Sequence, residues 1–193
     1  MKKRRLPHLY PENGWLFLTW HLHGSLPHAH FAPSGKSSSE AFAWVDRYWD
    51  IARSGPAYLK QEPIANLVID SFFRSERLGH YQLGPWVIMA NHVNVLLLPL
   101  IAPSLLLKSL KGAAAREANR LLRRTGEPFW QRESYDHYVR DEQEWNRIAR
   151  YVEWNPVKAG LAASVEDYPW SSANPRWSPS VHTSVNATFK TLV

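Results

Sequence analysis

The chain has 193 residues, a formal net charge of +6 and a sequence pI of about 9.6, which favours a polyanionic partner. It contains no cysteine, so disulfide bonds and thiolate metal sites are excluded. The length suits one domain with a buried core. The 10 tryptophans, 8 tyrosines and 7 phenylalanines are a high aromatic content; many will be core residues, but bases can stack on exposed ones.

In the first part of the chain, apolar periodicity and turn residues separate one strand from two helices. The predicted elements are a strand at 15–23 after a turn at 11–14, a loop at 28–39, a helix at 40–53 and a helix from Pro63 to about Leu78. Proline suits the first turn of the last helix, because the N–H that it lacks has no partner there.

The second part of the chain contains two strands joined by a tight turn, followed by two helices around a short strand. The predicted elements are strands at 80–89 and 92–98, a helix at 103–124 that is broken or weakened at Gly112, a strand at 135–139 and a helix at 141–155. Pro156 cannot donate a backbone hydrogen bond, so the last helix should end at about Asn155.

The order strand, helix, strand, strand, helix, strand predicts an α+β fold of the ferredoxin-like, split βαβ kind with a central antiparallel sheet. We expect a single domain over residues 1–173, with a helical insertion at about 36–55. Residues 174–193 are rich in Pro, Ser, Asn and Thr, which predicts a poorly ordered tail.

An apolar run at 88–107 is the one candidate membrane span, and its polar residues argue against that assignment. Asn91, His92 and Asn94 would be buried in lipid, and Pro99 and Pro103 would interrupt the helix. No apolar signal-peptide stretch follows the basic residues 2–5. We therefore expect a cytoplasmic, nucleoid-associated protein with no membrane contact.

His92 and Asn94 stand two apart at the start of the strand 92–98. Alternate strand residues point to the same face, so the two side chains should project together. An imidazole beside a carboxamide can hold a metal ion or a phosphate. A satisfied surface histidine is the simpler alternative.

Tyr151 and Asn155 stand four apart near the end of the last predicted helix, and are therefore neighbours on one helix face. A tyrosine hydroxyl next to an amide is a candidate nucleophile with a polar partner. A core tyrosine and a helix-capping asparagine would produce the same pattern.

Several segments resemble the REP-associated tyrosine transposases, which are single-tyrosine HUH endonucleases (U is a bulky apolar residue). The resemblance covers most of the chain, with its motifs in the family's order. It is carried by RLPH at 5–8, WLFLTWHL at 15–22 with GSLP at 24–27, WVIMANHVNVLL at 86–97, FWQRESYDHYVRDE at 129–142 and YVEWNPVKAGL at 151–161.

The resemblance implies an HUH endonuclease fold and a function. Tyr151 would be the catalytic nucleophile, and His92, Asn94 and Asn155 would hold Mg²⁺ or Mn²⁺. Asp136 and His137 would contact the metal ligands and hold them in position without binding the metal themselves. The substrate would be single-stranded or hairpin DNA, cut and rejoined through a 5′-phosphotyrosine by a monomer that needs no nucleotide cofactor.

Asn94 stands where the family motif has its second histidine. An amide oxygen can still bind a hard cation and suits Mg²⁺ better than metals that prefer imidazole. The alternative is a DNA-binding protein that cuts poorly or not at all. An RNA-binding protein is a third hypothesis, disfavoured because the RNA-recognition consensus is absent.

Basic residues cluster on the helix at 103–124 and flank the strand at 135–139. Such a run is usually a solvated face, but here phosphate contact is an equal alternative. The candidate DNA-binding residues are Lys108, Lys111, Arg116, Arg120, Arg123, Arg124, Arg132 and Arg140.

Other residues are alternative candidates for the metal ligands and the nucleophile. His21 and His23 form a second i, i+2 pair, for which a half-exposed strand edge is the simpler interpretation, although their strand should lie beside that of His92. Tyr48, Tyr135 and Tyr138 are alternative nucleophiles. None of them combines a helical amide partner with the family position, as Tyr151 does.

Overall fold

The computed structural model describes residues 14–25 and 55–177. The predicted motif at 5–8, the loop at 28–39, the helix at 40–53 with the insertion at about 36–55, and the tail from 178 onward lie outside the described residues.

Four strands and three helices make up the described chain, together with 3-10 turns at Tyr58–Lys60 and Pro175–Trp177. In chain order they are β1 (Leu16–Leu22), α1 (Glu62–Arg77), β2 (Tyr81–Ile88), β3 (His92–Pro99), α2 (Pro103–Leu121), β4 (Trp130–Tyr138) and α3 (Glu142–Lys158).

The strands form one antiparallel sheet in the order β2-β3-β1-β4. This order, with a helix after β1 and another after β3, is the split βαβ arrangement. The predicted α+β class and ferredoxin-like topology are therefore confirmed. The turn at Ala90-Asn91 is confirmed as well, since the amide of Met89 donates to the carbonyl of His92 across it at 2.9 Å.

Alternation along the strands divides the interior into two layers. On one side, residues such as Leu18, Trp20 and Val93 pack against α1 and α2. On the other side, residues such as Phe17 and Leu96 pack against α3. Because His92 and Asn94 share the alternation of Leu96, they lie on the face that α3 covers.

Three predicted features of the helices and strands are wrong for physical reasons. α2 passes through Gly112 without a break, because a single glycine costs a helix only about 1 kcal/mol. α3 continues through Pro156 to Lys158, since proline removes one hydrogen bond and the amide of Ala159 still bonds to the carbonyl of Asn155 at 3.0 Å. β4 starts at Trp130 rather than at 135 because its pairing with β1 outweighs its polar sequence.

The segment after α3 wraps around the β2 edge of the sheet. The amide of Ile88 donates to the carbonyl of Trp170, and the amide of Ser172 donates to that of Trp86, both at 2.9 Å. Further on, the ring of Trp177 lies 6.0 Å from that of Trp86 and 6.2 Å from that of Phe73. Residues 174–177, which the sequence placed in the poorly ordered tail, are thus part of the folded body.

No helix within the described ranges has both the length and the apolar character needed to cross a bilayer.

Candidate functional site

His92 begins β3 and is only 4% exposed, so the surface-histidine interpretation is wrong. Its Nδ1 lies 2.8 Å from the side-chain oxygen of Asn91. An amide oxygen only accepts, so Nδ1 carries the proton and Nε2 carries the lone pair. A neighbour that sets the tautomer in this way is typical of histidines that bind metals.

Asn94 is completely buried, and the hydroxyl of Thr19 on β1 donates to its Oδ1 at 2.7 Å. Among the described residues its Nδ2 has no hydrogen-bond partner. A buried amide N–H without a hydrogen-bond partner costs about 1–3 kcal/mol of stability. Such groups are rare in folded proteins, and each one calls for an explanation such as a functional role. Thr19 was not identified from the sequence; only the strand register, which pairs it with Asn94, reveals it.

His21 is the cross-strand neighbour of His92, and the two ring centroids are 5.7 Å apart. His21 is 5% exposed, so the half-exposed strand edge expected for it is wrong, whereas His23 is exposed in the turn after β1. Burial, followed by repulsion from the protonated form of His92 and from Lys111, holds the pKa of His21 well below its ordinary value. The imidazole of His21 is therefore neutral at physiological pH.

Tyr151 and Asn155 lie on the inner side of α3 and are joined as predicted: Nδ2 of Asn155 donates to the Tyr151 hydroxyl at 3.0 Å. Asn155 is buried, and its Oδ1 accepts no hydrogen bond from the described residues. Tyr151 is half-buried, and the ammonium group of Lys158 lies 5.8 Å from its ring centroid. The pair thus combines a fixed hydroxyl with an amide oxygen available to a further partner.

Phe17 connects the helix pair with the strand pair. Its ring centroid is 6.2 Å from that of Tyr151, in an edge-on contact. Thr19, which holds Asn94, follows Phe17 by two residues on the same face of β1, about 7 Å along the strand. Tyr151, Asn155, Asn94 and His92 therefore face the same layer between the sheet and α3.

Glu144 centres a buried charged cluster at the start of α3 that the sequence did not reveal. Its carboxylate accepts from Arg140 at 2.9 Å and Arg147 at 3.1 Å, and lies 3.1 Å from Nε2 of His137. Burial alone would raise the pKa of Glu144, but the hydrogen bonds from Arg140 and the proximity of His137 lower it to about 2. The amide of Glu144 donates to Asp141, which caps the helix.

The two residues expected to support the metal ligands lie apart from each other. His137 faces α3 but contacts Glu144. Asp136 pairs with Leu18, whose side chain faces α1 and α2, so the register directs it to the other face of the sheet. In this structure His137 belongs to the Glu144 cluster.

The predicted basic residues fall into two groups, one on or next to α2 and the other, Arg132 and Arg140, on or next to β4. Those on α2 lie in the layer opposite α3: Lys111 donates to the carbonyl of Gln131 at 2.8 Å, and Arg120 is paired with Glu117 at 2.8 Å. Arg124 pairs with Glu127 and lies over the ring of Tyr58. A phosphate above Tyr151 would therefore be across the sheet from this helix. The exposed members are Lys108, Arg116, Arg120 and Arg123 on or next to α2, Arg132 on β4, and Arg140, which is bound to Glu144.

A shallow open groove of about 390 Å³ lies beside α3, where the helix faces Pro85 of β2. It is lined in part by Pro85, Arg150 and Trp154. Trp154 is a large exposed aromatic residue next to a cation, a combination that suits base stacking.

No group of three His, Cys, Asp or Glu side chains with metal-binding geometry occurs in residues 14–25 and 55–177.

Comparison with known proteins gave no matching family model. The Haemophilus influenzae protein named "Putative REP-associated tyrosine transposase" is 40% identical over 44 residues, 23% of this chain and 25% of that protein. A solved REP-associated tyrosine transposase bound to a REP hairpin superposes with a TM-score of 0.60 at 16% identity, covering 93% of this chain and 89% of that one.

A Deinococcus radiodurans "putative transposase" structure aligns over 79% of this chain and 96% of its own, with a TM-score of 0.43 and 18% identity. The first solved structure establishes the fold, and the short curated match adds sequence similarity over about a quarter of each chain. The chain therefore resembles the REP-associated tyrosine transposases in both sequence and fold, as its motifs predicted.

Proposed function

We propose that this protein is a REP-associated tyrosine transposase, a monomer that cuts and rejoins single-stranded DNA at hairpins, with Tyr151 as its nucleophile. The observation that carries the proposal is the Tyr151–Asn155 hydrogen bond on the same layer as His92 and Asn94. A covalent phosphoryl-transfer site needs an oriented nucleophile with polar groups in the same site. Tyr151 is oriented by its hydrogen bond, and the buried amides of Asn94 and Asn155 in the same layer each have a polar atom without a partner among the described residues.

The residues fit a divalent cation such as Mg²⁺ or Mn²⁺. Asn155 has a buried oxygen with no bond from the described residues, and His92 carries its lone pair on Nε2. Asn94 would also offer an oxygen if its amide turned by 180°, because the Thr19 hydroxyl can accept from Nδ2 as well as donate to Oδ1. A bound cation would polarise a non-bridging phosphate oxygen and offset its charge.

Tyr151 carries out the bond-making step. Its Oη gives up its proton to water and attacks phosphorus, and the bond from phosphorus to the 3′ oxygen of the preceding nucleotide breaks. The DNA 5′ end becomes a phosphotyrosine, and the leaving oxygen takes up a proton to give a free 3′-hydroxyl. Because tyrosine ordinarily has a pKa of about 10, the N–H of Asn155 assists by stabilising the developing phenolate.

The same chemistry permits rejoining. The phosphotyrosine retains the energy of the original phosphodiester, so a 3′-hydroxyl from the same or another strand can attack it and restore tyrosine. Strand exchange therefore needs no nucleotide cofactor.

Hairpin DNA as substrate is supported by the likeness to a structure whose protein is bound to a REP hairpin. The net charge of +6 suits a polyanion, and the groove beside Trp154 and Arg150 offers a place where an unpaired base could stack.

The experiment is an assay for covalent adducts on a denaturing gel. Wild-type protein and Tyr151→Phe would be mixed with labelled single-stranded hairpin oligonucleotides from the flanks of its own gene, with and without Mn²⁺. A metal-dependent adduct that Tyr151→Phe abolishes is expected; Tyr135→Phe is the matched control, and should leave it unchanged. An adduct that persists in Tyr151→Phe would refute the assignment.

A second candidate is a hairpin-binding protein that no longer cuts. The observation in its favour is that the oxygen of Asn94 is already bonded to Thr19 at the position where the family has a histidine. Tight binding of the hairpin with no adduct in Mn²⁺ would favour this function.

A further inference from the structure

We propose that His21, on the neighbouring strand, replaces the missing histidine of the motif and binds the metal together with His92. The inference rests on the proposed function, because the cation is the one that such a transposase would use. It changes the ligand set from one imidazole with two amides to a pair of imidazoles.

The strand register brings the two histidines together. His21 and His92 are directly paired on adjacent antiparallel strands, where opposite side chains share a face and their Cβ atoms are about 4.5–5.5 Å apart. Both are buried on the α3 side of the sheet. Two side chains two apart on one strand, as in the family motif, are farther from each other, at about 7 Å.

The separation of the rings suits a shared ion. Two imidazoles that each bind a metal at about 2.1 Å, with a tetrahedral angle between them, have their centroids about 5.3 Å apart. The observed separation is 5.7 Å, so a shift of a few tenths of an ångström closes the site.

Asn94 is the weaker second ligand in this arrangement. Its oxygen must give up the hydroxyl of Thr19 or exchange places with Nδ2 before it can bind a cation. The positions left open would be filled by the oxygen of Asn155, water or a phosphate oxygen.

This ligand set also predicts which metals bind. Two imidazoles favour Co²⁺ or Zn²⁺ over Mg²⁺, which prefers oxygen ligands. A site built from His92 and the two asparagines would have the reverse preference.

The test measures metal binding without DNA, in the Tyr151→Phe background, so that it does not depend on cleavage. Co²⁺ and Mn²⁺ would be titrated into the parent protein, His21→Gln and His23→Gln, following Co²⁺ absorption and calorimetric heat. His23 is the matched control because it lies two residues further on and is exposed. Circular dichroism melts would identify folded variants, with His21→Asn as a second choice should His21→Gln not fold.

We expect His23→Gln to bind as the parent does and His21→Gln to lose at least about 100-fold in affinity, which is the upper end of what losing a merely supporting partner costs. Co²⁺ binding that is unchanged in a folded His21 variant would overturn the proposal, as would a parent protein that binds neither metal. Binding that depends on His21, combined with no DNA adduct in Mn²⁺, would uphold the metal site while refuting the proposed cleavage.

Discussion

Replacing Glu144 with glutamine removes the negative charge from the cluster at the start of α3. Two guanidinium groups, those of Arg140 and Arg147, then lose their carboxylate partner, and the acceptor 3.1 Å from His137 loses its charge. The side chain keeps its size, so the change tests electrostatics rather than packing. We expect Glu144→Gln to fold but to be less stable at neutral pH.

The magnitude follows from the pKa of Glu144, which is lowered from 4.5 to about 2. At about 1.36 kcal/mol for each pH unit, this corresponds to roughly 3 kcal/mol in favour of the folded state. Both arginine side chains are 58% exposed, and solvent screening reduces their contribution. The expected loss is therefore about 1–2 kcal/mol in the free energy of unfolding.

The pH dependence has a definite sign. The carboxylate is more acidic in the folded than in the unfolded chain, so its contribution is complete above about pH 4.5 and is lost as the pH falls towards 2. Urea unfolding of wild type and Glu144→Gln should show a constant difference from pH 7 to about 5, narrowing below that. Glu142→Gln, an exposed first-turn carboxylate, is the control and should cost about 0.5 kcal/mol. Equal stability of wild type and Glu144→Gln at pH 7, or a difference that grows in acid, would refute the reasoning.

Three further predictions concern the site and its support. Thr19→Val should cost about 1 kcal/mol of stability by urea unfolding, yet increase the yield of covalent adduct, because it releases the oxygen of Asn94; a lower yield in a folded variant would contradict this. Asn94→His, which restores the family's histidine, should raise metal-dependent adduct formation, and an equal or lower rate would show that the site has adapted to asparagine. Trp177→Ala should lower the free energy of unfolding by about 2–3 kcal/mol, since the ring contacts Phe73 and Trp86; an unchanged melting temperature would mean that this contact contributes nothing.

β1, β2 and β3 were predictable because they are short, mostly apolar runs bounded by turn residues, and the pairing of β2 with β3 was predictable because a tight turn joins 88 to 92. The Tyr151–Asn155 contact was predictable for the same kind of reason, since residues four apart on a helix are always neighbours. Contacts within a single helix or strand can therefore be predicted from the spacing of residues in the sequence.

Contacts between elements were harder to predict. Thr19 and His21 join the site only through the register of β1 against β3, which periodicity does not specify to the residue. The cluster around Glu144 forms only because the fold places His137 of β4 beside the first turn of α3. The end of α3 was misjudged because the local cost of Pro156 was smaller than the gain from packing the rest of the helix.

The wrap at 168–177 has a consequence for how the protein unfolds. Tyr168 is buried in the layer beneath α3, while Trp177, nine residues later, packs with Phe73 and Trp86 in the opposite layer. Local unfolding of either layer would therefore disrupt contacts of the same short segment, residues 168–177. A change that alters the hydrogen-exchange rates of the α1 amides should therefore alter those of the α3 amides in the same direction. The layer that contains Tyr151 is thus stabilised in part by the hydrophobic core on the other side of the sheet.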